Sequence, residues 1–175
     1  KHIPNIVNAW MYSSYATEPK KHQIKRVFNE LLRKRIAAAG IVPSVPRYRL
    51  TTRPKVLVIH ERFTEAHAMF RCYAPMLRTL NEYFDTVAIA ESEMIDDAAE
   101  TIFDQVIRLD SPRPAVNQLV ELVQAQNADI IIYPSLGMSH WTVMLAALRL
   151  APLQIMTQGH PATSMFDTID FVYLT

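Results

Sequence analysis

The sequence predicts an α/β protein: a Rossmann-like parallel sheet with helices on both faces, preceded by a short all-helical segment. From residue 55 onward, short apolar runs alternate with helical segments, which is typical of a parallel sheet wrapped by helices. The run 129–133 has almost no polar alternation, as expected of a strand that is covered on both faces. Before residue 55 the chain is strongly basic, which indicates a separate first segment.

The first segment, residues 1–54, is predicted to hold a short helix over 5–17 and a longer one over 21–39. Apolar residues of the longer helix follow the i, i+3, i+4, i+7 spacing of an amphipathic stripe: Ile24, Val27, Phe28, Leu31, Leu32 and Ile36. Gly40 stands where a glycine cap belongs. The other face is basic and includes Lys25. Such a face suits nucleic acid or a membrane surface, but few aromatics interleave the charges, so we favour a solvated face or one docked on an acidic neighbour.

Residues 55–175 are predicted to form the Rossmann-like module, reached through a proline-containing connector over 41–54. The predicted strands are 55–60, 85–90, 104–109, 129–133, 152–157 and 169–173. The predicted helices run from a Thr64 cap to about residue 81, briefly from Ser92 or Glu93, from a Ser111–Pro112 cap to about residue 126, and over 141–150.

The charge distribution supports this division into two modules. Residues 1–54 carry 11 Lys/Arg and 2 Asp/Glu, a net charge of +9, whereas residues 55–175 carry 7 and 15, a net charge of −8. The negative field of the second module argues against nucleic acid as its ligand.

The single cysteine and the lack of a long apolar run bear on the cellular location of the protein. No apolar run is long enough to span a bilayer, and the first residues show no signal-peptide pattern. Cys72 excludes an internal disulfide and a multi-cysteine zinc site, and it is predicted as a core thiol on a helix. Together these features predict a cytoplasmic location.

Histidines and glycines gather in loops that leave the carboxyl ends of predicted strands. The histidines are His60, His67, His140 and His160, and the glycines are Gly137 and Gly159. Open parallel sheets bind ligands at this edge. Four of the six histidines are therefore predicted to line one cleft, although short loops collect polar residues without any site as well.

His67 and Arg71 are four residues apart on one predicted helix, so they share a face. His67 lies near the helix N-terminus, whose positive end favours a neutral ring that can accept a proton, as a general base must. Glu61 is close enough in sequence to orient that ring. Gly137 and Ser139 open the next helix, whose free N–H groups could hold a phosphate or a sugar hydroxyl.

The loop over 159–164 combines the features of a binding site with those of a tight turn. Gly159 allows the backbone to approach a ligand closely, and His160 adds an ionisable ring. Thr163 and Ser164 add hydroxyl donors. From the local sequence alone, Gly-His-Pro is equally compatible with a turn that binds nothing.

Signatures of several other functions are absent from the sequence. There is no Gly-x-Gly-x-x-Gly after the first strand, no Walker A sequence and no Gly-x-Ser-x-Gly elbow. Dinucleotide-binding, P-loop and α/β-hydrolase functions are therefore disfavoured. His60, Glu61 and His67 match no standard spacing of metal ligands, so no metal is expected.

Several segments resemble one known family. Residues 148–164, Leu-Arg-Leu-Ala-Pro-Leu-Gln-Ile-Met-Thr-Gln-Gly-His-Pro-Ala-Thr-Ser, followed by Ile-Asp-Phe-Val, resemble a strand and loop of the O-GlcNAc transferase family. The likeness is strongest to the bacterial branch that N-glycosylates high-molecular-weight adhesins. Residues 61–71 and 133–138 resemble the segments after strands one and four of that branch, and residues 8–11 and 21–25 resemble its helical region.

The resemblance implies a two-lobed, B-type glycosyltransferase that is inverting and independent of metal and other cofactors. It would transfer a hexose or an N-acetylhexosamine from a UDP-sugar to a protein side chain. This chain would supply the end of a helical domain and the acceptor-side lobe, without the donor-binding lobe, and would be inactive alone. By matching position His67 and His160 would be active-site histidines. In such an enzyme Arg71 would be an electrostatic partner, and His160 with Thr163 would contact sugar or phosphate.

Two other functions stay open at this point. A Rossmann-like module could dock a partner through its basic helices without any catalysis. A flavodoxin-like nucleotide binder is the weaker alternative, because no Gly/Ser/Thr-rich phosphate loop follows strand one.

Overall fold

The computed structural model describes residues 3–44, 47–110, 112–159 and 163–174. Its six strands are β1 (Lys55–Ile59), β2 (Asp85–Glu91), β3 (Gln105–Leu109), β4 (Ile130–Tyr133), β5 (Leu153–Thr157) and β6 (Phe171–Tyr173). They form one sheet in the order β3-β2-β1-β4-β5-β6, and each neighbouring pair is parallel. This is the Rossmann order, so the predicted fold class is confirmed.

In the described ranges, six α-helices accompany the sheet. They are α1 (Ile3–Tyr12), α2 (Ile24–Ala38), α3 (Ala68–Tyr83), α4 (Asp97–Glu100), α5 (Val116–Ala125) and α6 (His140–Ala146). Short 3₁₀ turns extend α1 and precede α2 and α4.

Several predicted helix ends are corrected. The N-cap of α3 is His67 and not Thr64, which lies in the preceding turn and accepts the His67 N–H at 2.8 Å. Helix α5 begins four residues later than the predicted proline start, and the predicted cap Ser111 lies outside the described residues.

The hydrophobic core lies on both faces of the sheet, as the apolar strands predict. Alternate residues of β1 point to opposite sides: Val56 and Val58 join one cluster, and Leu57 and Ile59 join the other. The first cluster packs against α3 and α4, and the second packs against α1, α2, α5 and α6. The parallel sheet is thus covered on both sides.

Helix α2 buries only part of the predicted stripe: Leu32 and Ile36 are buried and Phe28 packs against the core. Ile24, Val27 and Leu31 are 44%, 53% and 44% exposed. The buried row of α2 is Lys25, Asn29, Leu32 and Ile36. The amphipathic periodicity was compatible with either row, because Leu and Ile residues occur in both. Lys25, expected on the basic face, is therefore an interior residue.

The helical segment packs on the Rossmann-like module through apolar residues, whereas most basic residues of α2 stay exposed, as the interpretation of a solvated face predicts. Val7 and Trp10 of α1 share a core cluster with the residues of the sheet. Arg53 pairs with Asp85 at 2.6 Å and also donates to the carbonyls of Asn81 and Phe84 at the end of α3. The connector is thus fastened to the sheet by charge-assisted hydrogen bonds.

The C-terminal end of α2 forms the predicted glycine cap. Gly40 has a φ of +73°, which favours glycine, and its N–H bonds to the Ala37 carbonyl at 2.9 Å. The Ile41 N–H bonds to the Ile36 carbonyl at 3.2 Å, which completes a Schellman motif.

Two surface features follow from the helix positions. Within the described ranges, none of the helices has the length and hydropathy needed to cross a bilayer. Cys72 is exposed on α3, so the prediction of a core thiol is wrong. Its neighbours Tyr73 and Ala74 occupy the buried face of this helix instead.

Candidate functional site

The crevice between β1 and β4 is where the strand order reverses, and open parallel sheets bind ligands at such a point. Glu61, the second residue after β1, is 2% exposed there. Its carboxylate accepts the N–H groups of Gly137 at 2.9 Å, Met138 at 3.2 Å and Ser139 at 2.9 Å, and also the hydroxyl of Thr142. Gly137 has a φ of +131°, a conformation that favours glycine.

This arrangement corrects two sequence-based interpretations. The amides of Gly137 and Ser139 are not free for a phosphate, because a carboxylate of the protein already occupies them. Glu61 does not orient His67, because both of its oxygens face the start of α6. Glu61 instead ties the loop after β1 to the loop after β4, which makes it a structural anchor of this edge.

His60, which follows β1, also lies inside the protein. It is 1% exposed, stacks on Phe63 with ring centroids 4.1 Å apart, and meets the edge of Phe103 at 5.5 Å. Burial lowers the pKa of this imidazole from 6.5 to about 3, so the ring is neutral near pH 7. His60 therefore does not line a cleft, and the prediction of four histidines along one rim is wrong in this respect.

His67 is half-buried at the N-terminus of α3. Its Nδ1 accepts the Met69 N–H at 3.3 Å and caps the helix. A ring that accepts at Nδ1 carries its proton on Nε2 when neutral, so the free nitrogen of His67 is a donor. In this state His67 can orient a ligand by donating a hydrogen bond. To act as a base through Nε2 it would have to give up the cap.

Arg71 lies one turn along α3 and is exposed. Its Nη1 donates to the Ala66 carbonyl at 2.8 Å, just before the His67 cap. Guanidinium groups have five donors, so this bond leaves Arg71 able to meet an anion. The turn before α3 is stiffened by the same contact.

Gly159 is required by close backbone packing. A Cβ atom at this position would lie 2.6 Å from Cα of Ser135 and 2.7 Å from the Pro134 carbonyl oxygen. The Gly159 N–H also bonds to the Thr157 carbonyl at 2.8 Å. The loops after β4 and β5 therefore touch at Gly159. The close approach that the sequence assigned to a ligand is made, in part, to the protein itself.

Thr163 and Ser164 form the stem where the loop after β5 returns to the body of the protein; we call these two residues the loop stem. The Thr163 hydroxyl accepts the Met165 N–H at 3.3 Å, and the buried Ser164 hydroxyl accepts the Phe166 N–H at 3.3 Å. Both hydroxyls keep a proton to donate. His160, with Pro161 and Ala162, lies outside the described residues.

Two polar residues that sequence reasoning did not single out hold the two ends of β5, Tyr73 at the carboxyl end and Gln154 at the amino end. The Tyr73 hydroxyl donates to the Gln158 carbonyl at 2.7 Å and so ties α3 to the loop after β5. The buried Gln154 amide accepts the N–H groups of Leu150 and Ala151 and donates to the Leu148 and Thr168 carbonyls. A glutamine inside an apolar strand was the available signal that the position is structural.

Two residues of helix α2 contact the loop stem from the helical segment. Lys25 Nζ donates to the Thr163 carbonyl at 2.9 Å, and Asn29 Nδ2 donates to the Ser164 carbonyl at 3.1 Å. Burial, with Lys21 nearby as a second cause, lowers the pKa of Lys25 to about 7. Asn29 lies beside the predicted apolar stripe and not in it, so the local sequence gave no signal for this contact.

Metal binding finds no support in the described ranges. No three His, Cys, Asp or Glu side chains there converge in a way that would hold an ion. His60 is enclosed by aromatic rings, and Glu61 is saturated with donors.

The Rossmann-like fold of this lobe also occurs in a glycosyltransferase of known structure. Over 98% of its length, the chain superimposes on an O-GlcNAc transferase of Thermobaculum terrenum, solved as a point mutant, with a TM-score of 0.71 and 15% sequence identity. It covers 34% of that chain. At this identity the match establishes the shared fold.

Sequence comparison gives a more specific likeness. The chain is 29% identical over 184 aligned residues to two proteins named UDP-glucose:protein N-beta-glucosyltransferase, from Actinobacillus pleuropneumoniae serotype 5b (strain L20) and serotype 7 (strain AP76). The alignment covers 98% of this chain, and the chain spans 29% of the length of these curated relatives. No family model matches the chain. The resemblance stated from the sequence is therefore confirmed.

Proposed function

We propose that this chain is the acceptor-side lobe, with part of a helical domain, of an inverting glycosyltransferase that moves a hexose from a UDP-sugar to a protein side chain. The observation that carries the proposal is the 29% identity to protein N-glucosyltransferases, sustained over 98% of the chain. The names of these relatives favour glucose over an N-acetylhexosamine as the transferred sugar.

In the proposed reaction, a side-chain nitrogen of the acceptor attacks the anomeric carbon of the sugar. The bond from that carbon to the diphosphate oxygen breaks, and its electron pair leaves with UDP. The nitrogen releases its proton to a base. Positive groups and N–H donors that face the leaving diphosphate lower the barrier without a metal ion.

The described residues support particular roles in this scheme. The Nε2–H of His67 is suited to orient the acceptor through a hydrogen bond, because Nδ1 is engaged in the helix cap. The exposed Arg71 adds positive charge at the same helix end. The Thr163 hydroxyl has a proton to donate to sugar or phosphate, because its oxygen accepts the Met165 N–H. His160 stays a predicted contact at this edge.

The proposed setting is a reducing cytoplasm, where the exposed thiol of Cys72 would persist without a partner in the chain. The proposed partners are a UDP-sugar, a protein acceptor and a second, donor-binding lobe.

A transfer assay on the complete gene product tests the proposal. The protein is incubated with an asparagine-containing acceptor peptide and either UDP-glucose or UDP-N-acetylglucosamine. The mass of the peptide is then measured by mass spectrometry. We expect a gain of one hexose with UDP-glucose. If calorimetry detects no binding of either sugar nucleotide to the complete gene product, the proposal is overturned. The non-catalytic docking module is then the better interpretation.

The role of His67 is tested by two substitutions with different effects on the helix cap. His67→Asn keeps a good N-cap and removes the imidazole, whereas His67→Ala removes both. We expect transfer to fall about a hundredfold in both variants, because the acceptor loses the group that orients it and a misplacement of about 1 Å has an effect of this order. Only His67→Ala should also lower the melting temperature. Wild-type transfer by His67→Asn would remove His67 from the site.

A further inference from the structure

Lys25 is a buried lysine whose amino group contacts residues outside its own helix. It is 0% exposed on α2, and its Nζ lies 2.8 Å from Ser14 Oγ, 2.9 Å from the Thr163 carbonyl and 4.4 Å above the centre of the Trp10 ring. Lysine is almost never fully buried unless it is paired, because removing its charge from water is costly. An apolar side chain would fill this position at lower cost, so packing alone does not account for Lys25.

Asn29 repeats the same contact one helical turn later. It is 1% exposed, and its Nδ2 donates to the Ser164 carbonyl at 3.1 Å. Its Oδ1 accepts the Trp10 Nε1–H at 2.7 Å, which fixes the orientation of the amide. Residues four apart on a helix lie side by side. Two adjacent donors of α2 therefore hold two consecutive carbonyls of the loop stem.

Trp10 joins these residues into one unit. Its ring stacks on Phe166 with centroids 5.9 Å apart, lies under the Lys25 ammonium and holds Asn29. We call Trp10, Lys25 and Asn29 the clamp. Each clamp residue comes from the helical segment, and each contacts the chain just after β5.

The backbone beside the loop stem is strained, which is a second sign that its shape is imposed. Met165 has a φ of +57°, in the left-handed region that non-glycine residues seldom adopt. Such strain persists only where the surroundings hold it in place. The Met165 N–H bonds to the Thr163 hydroxyl, so the strained turn also determines where that hydroxyl points.

We propose that Lys25 and Asn29 are positioning residues that set the loop stem for contact with a bound sugar nucleotide. The helical segment thereby controls donor binding at a distance from the sheet edge. This inference rests on the proposed function, and Lys25 and Asn29 act only through Thr163 and Ser164. Lysine retains N–H donors with or without its charge, so the clamp does not depend on one protonation state.

The experiment uses the complete gene product with Lys25→Met and Asn29→Ala as clamp variants. Leu32→Ala is the matched control, since Leu32 is buried on the same row of α2 and 3% exposed. Two quantities are measured: UDP-glucose affinity by calorimetry, and amide hydrogen exchange at Met165 and Phe166.

We expect each clamp variant to weaken UDP-glucose binding about tenfold, because a small displacement of a contacting group has effects of this order. Exchange at Met165 and Phe166 should rise at least about tenfold, and the KM for UDP-glucose should rise with little change in kcat. Leu32→Ala should lower the melting temperature comparably and leave the affinity within twofold of the wild type, as a purely structural loss would.

Two outcomes would overturn the inference. Unchanged affinity in both clamp variants would show that the clamp serves stability alone, and an equal loss in Leu32→Ala would show that any weakening of α2 has the same effect. Failure of the wild type to bind UDP-glucose would instead refute the proposed function, and with it the donor-binding role of the clamp. In that case the amide exchange rates of Met165 and Phe166 in the clamp variants still show whether the clamp holds the loop stem in its conformation.

Discussion

The loop after β4 and the loop stem after β5 leave the same edge of the sheet, yet different parts of the chain hold them. The loop after β4 is held from within the Rossmann-like lobe, where the Glu61 carboxylate accepts three backbone N–H groups and one hydroxyl. The loop stem is held from the helical segment, where Lys25 and Asn29 donate to two backbone carbonyls.

The two anchors also differ in polarity and in what they leave available. Glu61 closes the anion-binding end of α6, so the edge beside β4 has no open set of backbone donors there. The clamp holds the loop stem by its carbonyls, and among the described residues none accepts the Thr163 hydroxyl proton. The backbone donors of the loop after β4 are thus occupied by Glu61, whereas the loop stem after β5 is held in place with the Thr163 hydroxyl available as a donor. This difference supports the proposal that the sugar nucleotide is contacted on the β5 side of the edge, while the acceptor is contacted by His67 after β1.

Removal of the Glu61 anchor is expected to have the largest effect. Glu61→Ala leaves three backbone N–H groups without their partner in a buried site, so we expect a loss of about 3–5 kcal/mol in unfolding free energy. Urea unfolding followed by circular dichroism measures this change. Glu65→Ala removes an exposed carboxylate from the same loop and should change stability by less than about 0.5 kcal/mol. Similar effects of the two variants would show that Glu61 is no anchor.

Low pH should reduce the free energy of unfolding through His60, the buried residue that follows β1. Burial lowers the pKa of the folded His60 to about 3, so the unfolded chain, with a pKa near 6.5, binds the proton first as pH falls. The stabilisation is complete above about pH 6.5 and is lost toward pH 3, by about 1.4 kcal/mol per pH unit. His60→Leu should abolish this contribution. Unfolding curves of both proteins at pH 7, 6 and 5 give the difference, and parallel pH profiles would contradict the prediction.

The contact between the two loops is tested at Gly159. In Gly159→Ala the new Cβ meets backbone atoms at 2.6–2.7 Å, so we expect a loss of about 2 kcal/mol from overpacking. Gly40→Ala is the control, since nothing lies within 4 Å of its Cβ position and only the strain of a +73° φ remains, about 1 kcal/mol. The melting temperatures rank the two variants. A smaller loss in Gly159→Ala than in Gly40→Ala would mean that the loops are not in tight contact.

The smallest effect is expected at the surface pair between α2 and the chain after the loop stem. Arg33 pairs with Asp167, but their side chains are 39% and 72% exposed. Solvent screens such pairs, so Arg33→Ala should cost less than about 1 kcal/mol. Chemical denaturation in low and high salt measures this contribution. A loss comparable to that of Asn29→Ala would show that the surface charge, and not the buried clamp, holds α2 to the stem.

The sequence by itself determined the sheet and its edge. All six strands lie within about two residues of their predicted ends, because a strand covered on both faces leaves a continuous apolar run in the sequence. Local rules also placed the glycine cap at Gly40 and the break after β5 at Gly159. The resemblance to protein glycosyltransferases likewise came from short segments that could be compared directly.

Only the tertiary structure decided what each polar residue does at that edge. Glu61 meets the start of α6 across 76 positions of sequence, and Asn29 meets Ser164 across 135. Local periodicity carries no information about such partners. It could not choose between the two apolar rows of α2 either, because both satisfy helical spacing and only docking on the sheet buries one of them. Lys25 therefore became an interior residue when α2 packed against the lobe, for a reason that lies outside its own helix.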